Sequence, residues 1–215
     1  MHKHYHRLIT AQALGDRFAP AALARIIVAN LSLDALAGQI GHDEYHFDAN
    51  AFAESLAFME QNRAAVRLAL EQGELDVAYW AFGRLTHTAQ DFYAHSNYIS
   101  LWLEQFPEGA WPSPEETDPL DANLLNHPAL RSGKLYYPLE ALSFLPFLKK
   151  MVLPLLPRDA HAWMNLDGPE QGPKFAYALA AAVKRTKKEY EKTVEGLPPE
   201  LISQFCQGTA FSGKD

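Results

Sequence analysis

The chain reads as an all-α bundle folded as one domain over residues 1–215, and three features predict this. Apolar residues recur at helical spacing through several long stretches. No stretch alternates polar and apolar residues as a strand does, and no internal repeat is present. The main interruption is a proline-rich segment at about 107–135, with Pro107, Pro112, Pro114, Pro119 and Pro128. With 215 residues, 48% hydrophobic and 21% charged, the composition is that of a globular domain with a sizeable core.

Taken in order, residues 4–14 form a first helix with Leu8, Ile9 and Leu14 apolar and His6 in its first turn. His2 and His4 read as structural or incidental. Pro20 suits the first turn of a second helix, whose apolar body over 21–36 includes Ile26, Ile27, Val28, Leu31 and Leu33. Asn30 and Asp34, four apart, share a face of it. A carboxylate among such residues is unfavourable unless paired or ligated, the competing reading being an aspartate at a helix end facing water. The loop that follows offers His42, Asp43, Glu44, His46 and Asp48 as ligands, although Asp48 also suits the N-cap of the next helix. That helix, about 49–72, carries Phe52, Leu56, Met59, Val66 and Leu70 and ends near Gly73. A central helix spans about 75–105.

The proline-rich segment is long enough to be a lid or binding loop. Its His127 reads as a loop hydrogen-bonder rather than a ligand. Helical pattern resumes over about 139–153, followed by a turn containing His161, Asn165 and Asp167. An amphipathic helix covers 171–194, with Phe175, Leu179, Val183 and Tyr190 on its apolar side, and a short helix covers 199–206.

The central helix carries the chemistry. His87, Asp91 and His95 are each four residues apart. A step of four advances about 400° around a helix, so the three side chains lie on one face. Two imidazoles and a carboxylate on one stripe suit a divalent ion such as zinc. The competing readings are a solvated polar face and a buried hydrogen-bonded network. Gly83, one turn earlier on that stripe, implies a close approach by another element. One helix cannot complete a metal site, and Cys206 is the single cysteine, so the remaining ligands must be histidines and carboxylates.

A net charge of −7 argues against binding extended nucleic acid. No apolar run is long enough for a membrane span. The first residues show no apolar leader region, which places the chain in the cytoplasm as it stands, or outside the cell if a leader has been removed.

The run Gly83-Arg-Leu-Thr-His-Thr-Ala-Gln-Asp-Phe-Tyr-Ala-His-Ser-Asn-Tyr98 resembles the signature of Het-C-like proteins, relatives of the zinc-dependent phospholipase C and P1 nuclease superfamily. Weaker matches fall around His6, Asn30 with Asp34, His46-Phe-Asp48, and Asn165-Leu-Asp-Gly-Pro169. The resemblance implies a multi-helix bundle of the phospholipase C/P1 nuclease type with one to three zinc ions. It assigns His6, Asp34, His46, His87 and Asp91 as ligands, with Asp91 bridging. His95 joins this metal set from the stripe itself. Two departures count against a full three-ion centre: Ile99 stands where a Glu would complete a His-x3-Glu pair, and Ser100 where a Glu is common. His161 is a substitute ligand.

The implied activity is zinc-dependent hydrolysis of a phosphate ester, most simply a phospholipid, with Asp34 orienting or deprotonating the attacking water. The alternative is a non-enzymatic Het-C-like interaction or toxin-related module with a structural metal site.

Overall fold

The computed structural model describes residues 1–208 except 40, 108, 137, 141, 143–147 and 149–150. It is 69% helical, and no strands form among the described residues, which show two isolated bridges, Ser96–Ser132 and Lys134–Ala160. The principal helices of the first half are α1 (Lys3–Leu14), α2 (Pro20–Ser32), α5 (Phe52–Glu71) and α6 (Leu75–His95). Short turns α3 (Leu36–Gln39) and α4 (Asp43–His46) lie between α2 and α5, and α7 (Tyr98–Leu103) follows α6. The second half contributes the Lys174–Val194 helix and the closing Pro199–Gln207 helix.

Helix α6 is the axis of the domain. From Ala81 to His95 all but Arg84 are buried, so the helix has no solvent face there. A helix apolar or self-satisfied all round sits in the middle of a bundle, and α6 packs against α2, α5 and the Lys174–Val194 helix. Its own Phe82, Leu85 and Tyr93, with Tyr98 just beyond its end, are large side chains that are fully buried. Beside them Phe18, Tyr190 and Phe205 pack edge-on, with Cys206 next to the Tyr190 hydroxyl at 3.2 Å.

Three boundaries differ from the sequence reading. The helix expected over 75–105 is two helices. Ser96 adopts an extended backbone (φ −104°, ψ 166°). Its hydroxyl donates to the Phe92 carbonyl, and Asn97 N–H donates to Arg131 O at 3.0 Å. Pairing with the 131–133 segment therefore ends α6 at His95. The second helix stops at Ser32, so Asp34 stands beyond its end. The third long helix, α5, begins at Phe52, not Ala49, and Asp48 does not cap it. Most of the helix expected over 139–153 lies outside the described residues. Among the described residues, no helix is long and apolar enough to cross a membrane.

The close approach expected at Gly83 is present. A Cβ there would lie 2.4 Å from Ile26 O, 2.6 Å from Ala29 Cβ and 2.7 Å from Asn30 N. The crossing of α2 over α6 therefore depends on a missing methyl, and it brings Asn30 and Asp34 to the His–Asp stripe. Gly83→Ala is expected to destabilise the protein by about 1–3 kcal/mol through overpacking. Urea unfolding reads this directly, and an unchanged midpoint would contradict the tight crossing.

Candidate metal centre

Asp91, fully buried in α6, is where the polar interior converges. Its Oδ2 lies 2.8 Å from His46 Nδ1 and 3.0 Å from His87 Nε2. Its Oδ1 lies 2.5 Å from the Met1 ammonium, 3.2 Å from His6 Nε2 and 3.8 Å from His95 Nε2. Three segments far apart in sequence thus meet on one carboxylate.

The outer hydrogen bonds set which ring nitrogens face it. Gln90 is a hub between helices. Its amide nitrogen donates to Thr10 Oγ1 (3.0 Å) and Thr186 Oγ1 (3.1 Å), so its Oε1 is the acceptor for His6 Nδ1–H at 2.7 Å. His6 Nε2 is then the lone-pair nitrogen, and it has no hydrogen-bond partner. His46 Nε2–H points at Gly38 O (3.2 Å), which leaves the Nδ1 lone pair toward Asp91. His95 Nδ1–H donates to His46 O (2.9 Å), turning Nε2 inward. At His6 and His46 the tautomers so fixed present lone pairs to a carboxylate, an arrangement that calls for a cation.

The spacing fits one. His46 Nδ1, His87 Nε2 and Asp91 Oδ2 form a triangle with sides of 2.8, 3.0 and 3.2 Å. Ligand atoms at roughly 2.0–2.1 Å from a tetrahedral zinc ion stand about 3.3 Å apart. His6 and Asp34 adjoin this triangle through His87, and the three together form a second candidate ligand group. Asp34 Oδ1 lies 3.9 Å from His87 Nε2, and its Oδ2 is buried without a hydrogen-bond partner.

A neighbouring cluster has another character. Asp48 Oδ1 lies 3.3 Å from His95 Nδ1 and 3.1 Å from His161 Nδ1. Asp167 faces the other nitrogens of the same rings, 3.3 Å from His95 Nε2 and 3.7 Å from His161 Nε2. Asp48, His95 and His161 also form a candidate ligand group. The loop that presents Asp48 holds three non-glycine residues in the left-handed region: Phe47 (φ 57°), Ala49 (φ 52°) and Asn50 (φ 60°). The opposing segment stabilises it. Ala49 N–H donates to Gly133 O at 2.7 Å, and Asn50 exchanges two hydrogen bonds with Ser132. Left-handed backbone costs an L-residue about 1–2 kcal/mol, and such strain gathers at functional sites.

Electrostatics separate the two clusters. Burial, and then the adjacent His6, push His87 down to about 3, and burial also lowers His6. Burial opposes a charge on His161, but Asp48 lifts it to about 9. Burial likewise opposes the charge on Asp91, which the terminal ammonium and His95 hold well below the carboxylate range. In the first cluster His87 and His6 are therefore neutral imidazoles, ready to ligate. The second is a charge-balanced imidazolium–carboxylate network. A cleft of about 210 Å³ opens over both, lined by Asp34, Gln39, His46, Asp48, His95 and His161, among others.

All six sequence-derived candidates, His6, Asp34, His46, His87, Asp91 and His95, meet here. The other loop candidates do not: His42 pairs with Glu44 at 3.0 Å and stacks on Tyr45, and His127 accepts the Ala129 N–H. Sequence reasoning missed Gln90 as the hub and left Asp48 open between loop ligand and helix cap; the structure places it in a candidate ligand group and not at a cap. The position of Asp48, two after His46 in an acidic loop, was the available signal. Asp167 gave only a weak one.

The fold and site define a helical domain built around a buried histidine–aspartate centre. Residues 2–113, just over half of the chain, match the family model described as the VWA7 N-terminal domain, and the chain belongs to that family. It is 31% identical over 96 residues to von Willebrand factor A domain-containing protein 7 of Rattus norvegicus, across 44% of this chain and 11% of that protein. The chain thus spans about a tenth of the curated relative it matches. No solved structure matches it. These findings overturn the resemblance to Het-C-like proteins and the phospholipase C/P1 nuclease superfamily. The reading as a zinc-dependent phosphate-ester hydrolase, with Asp34 acting on water, and its Het-C-like or toxin-related alternative fall with it. The physical reason is that a His-x3-Asp-x3-His stripe records what a buried polar centre requires of one helix, and unrelated helices meet that requirement alike.

Two expectations follow. Replacing Ala49 by glycine removes a left-handed penalty, so A49G is expected to raise stability by up to about 1 kcal/mol; a lower unfolding midpoint would count against strain there. In metal-free protein, His161 binds its proton more tightly when folded, so its contribution is complete below about pH 6.5 and is lost as pH rises through about 9. The depressed His87 acts oppositely, and its contribution is lost as pH falls from about 6.5 toward about 3. Stability measured against pH is therefore expected to peak near pH 6–7. H161Q should make the alkaline side less steep and leave the acid side unchanged, His95 and the terminal ammonium still contributing to the alkaline loss.

Proposed function

We propose that this chain is a metal-binding helical domain, in which a divalent ion such as zinc is held by His46, His87 and Asp91, with His6 and Asp34 beside them. The observation that carries this is the pair of tautomers fixed by Gln90 and Gly38, which aim the lone pairs of His6 Nε2 and His46 Nδ1 at the Asp91 carboxylate. Hydrogen-bonded ligand imidazoles of this kind are the usual outer support of a metal site. The neighbouring Asp48, His95, His161 and Asp167 form a second position, which a further ion would occupy by displacing protons from its histidines. The first set lies wholly within the family match at residues 2–113, whereas His161 and Asp167 lie beyond it.

An ion here ties the first helix, the strained loop and α6 together, and the cleft leaves it open to solvent or to a small ligand. Metal supplies a Lewis acid in such a setting.

Elemental analysis of protein purified without an affinity tag or added metal is expected to show one or two zinc ions per chain, on the order given by the two clusters. Chelation should lower the melting temperature, since ligand at 100 times its dissociation constant adds about 2.7 kcal/mol. H46A and D91N should lose the metal. Full metal content in either variant, or no zinc uptake by the wild-type protein, would overturn the proposal.

A further inference from the structure

On another side of α6 lies a cavity of about 510 Å³ that the metal centre does not use. Three phenylalanines form its aromatic wall. Phe47 and Phe92 have ring centroids 5.1 Å apart, and Phe52 lies 5.9 Å from the first and 6.2 Å from the second. Leu56 (53% exposed) and Leu120 (39% exposed) continue this apolar surface toward solvent. The volume falls in the range of small-molecule sites, roughly 300–1,000 Å³.

One charged residue lines this cavity, Arg185 on the Lys174–Val194 helix, and it is 9% exposed. Its Nε donates to Glu189 Oε1 at 2.5 Å, and the Tyr93 hydroxyl is a neighbour. Glu189 is shared, because Arg63 donates to its other oxygen at 2.7 Å. Arg63 also reaches Glu60, which Lys192 approaches at 3.6 Å. This network holds three cations, Arg63, Arg185 and Lys192, against two carboxylates, Glu60 and Glu189. One positive charge is left over, and its innermost carrier borders the apolar cavity. Asp118, on the segment that carries Leu120, is exposed and accepts the Leu120 N–H.

We propose that this cavity binds a small amphipathic carboxylate, its aliphatic or aryl body against Phe47, Phe52 and Phe92 and its head on the Arg185 guanidinium. A single excess charge selects a monoanion, and a planar guanidinium suits a carboxylate through charge-assisted hydrogen bonds. The aromatic wall selects an apolar body.

The test is a calorimetric and NMR titration of the metal-loaded chain with decanoate, decanol and decylammonium. Decanoate is expected to bind and to shift the resonances of Phe52, Leu56 and the Arg185 Nε–H. Decanol should bind about tenfold more weakly or worse, because it forfeits a charge-assisted hydrogen bond. Shortening to octanoate should weaken binding by at most about fourfold per methylene. L56E, at a half-exposed position that should leave the fold intact, should reduce decanoate affinity about tenfold by adding a like charge to the wall. No decanoate binding at millimolar concentration, or equal binding of decanol, would overturn the proposal. Binding retained in L56E but abolished by chelation would place the carboxylate on the metal centre instead and would equally overturn it.

Discussion

Asp91 carries a negative charge at the centre of the domain, 0% exposed, on a helix with no solvent face. An isolated carboxylate in such a place would be neutralised by protonation. It is instead held ionised by positive charge drawn from elsewhere in the chain, and much of the architecture near it serves that end. The residues ahead of α1 bring the terminal ammonium and α6 itself brings His95, which supply that charge, while His6, His46 and His87 complete the polar shell around the carboxylate. Gly83 matters for the same reason, since α2 reaches the stripe only where a Cβ is missing.

The two clusters around Asp91 solve the burial of charge differently. In the second, imidazolium and carboxylate neutralise each other, and the site is complete without another partner. In the first, outer hydrogen bonds orient lone pairs toward a carboxylate, and His6 Nε2 and Asp34 Oδ2 are buried with no donor to receive. Leaving such atoms unsatisfied typically costs about 1–3 kcal/mol each. A divalent ion removes that deficit for the first cluster, whereas at the second it must compete with protons. The strained backbone at 47–50 belongs to both, because it fixes the His46 carbonyl and the Asp48 carboxylate in consecutive turns of chain.

Family membership and chemistry part company here. The match to the VWA7 N-terminal domain covers residues 2–113 and therefore all six ligand candidates read from sequence, yet it brings no activity with it. The sixteen-residue stretch around His87 is specific about geometry and unspecific about ancestry. Its residue types follow from a helix that must be buried, closely crossed at Gly83, and polar along one stripe.

Read alone, the sequence determined the helical class, the approximate extent of the long helices, the close crossing at Gly83 and the shared face of His87, Asp91 and His95. Each follows from spacing along one helix, where local geometry maps residue number onto direction. The tertiary structure decided the rest. It ended α6 at His95 through pairing with residues 131–133, a contact between segments more than thirty positions apart. It decided between the two roles open to Asp48, making it the partner of His95 and His161 and not a helix cap, and it made Gln90 the residue that sets the His6 tautomer. Those outcomes rest on which segments meet in space, and no periodicity within a single segment encodes that.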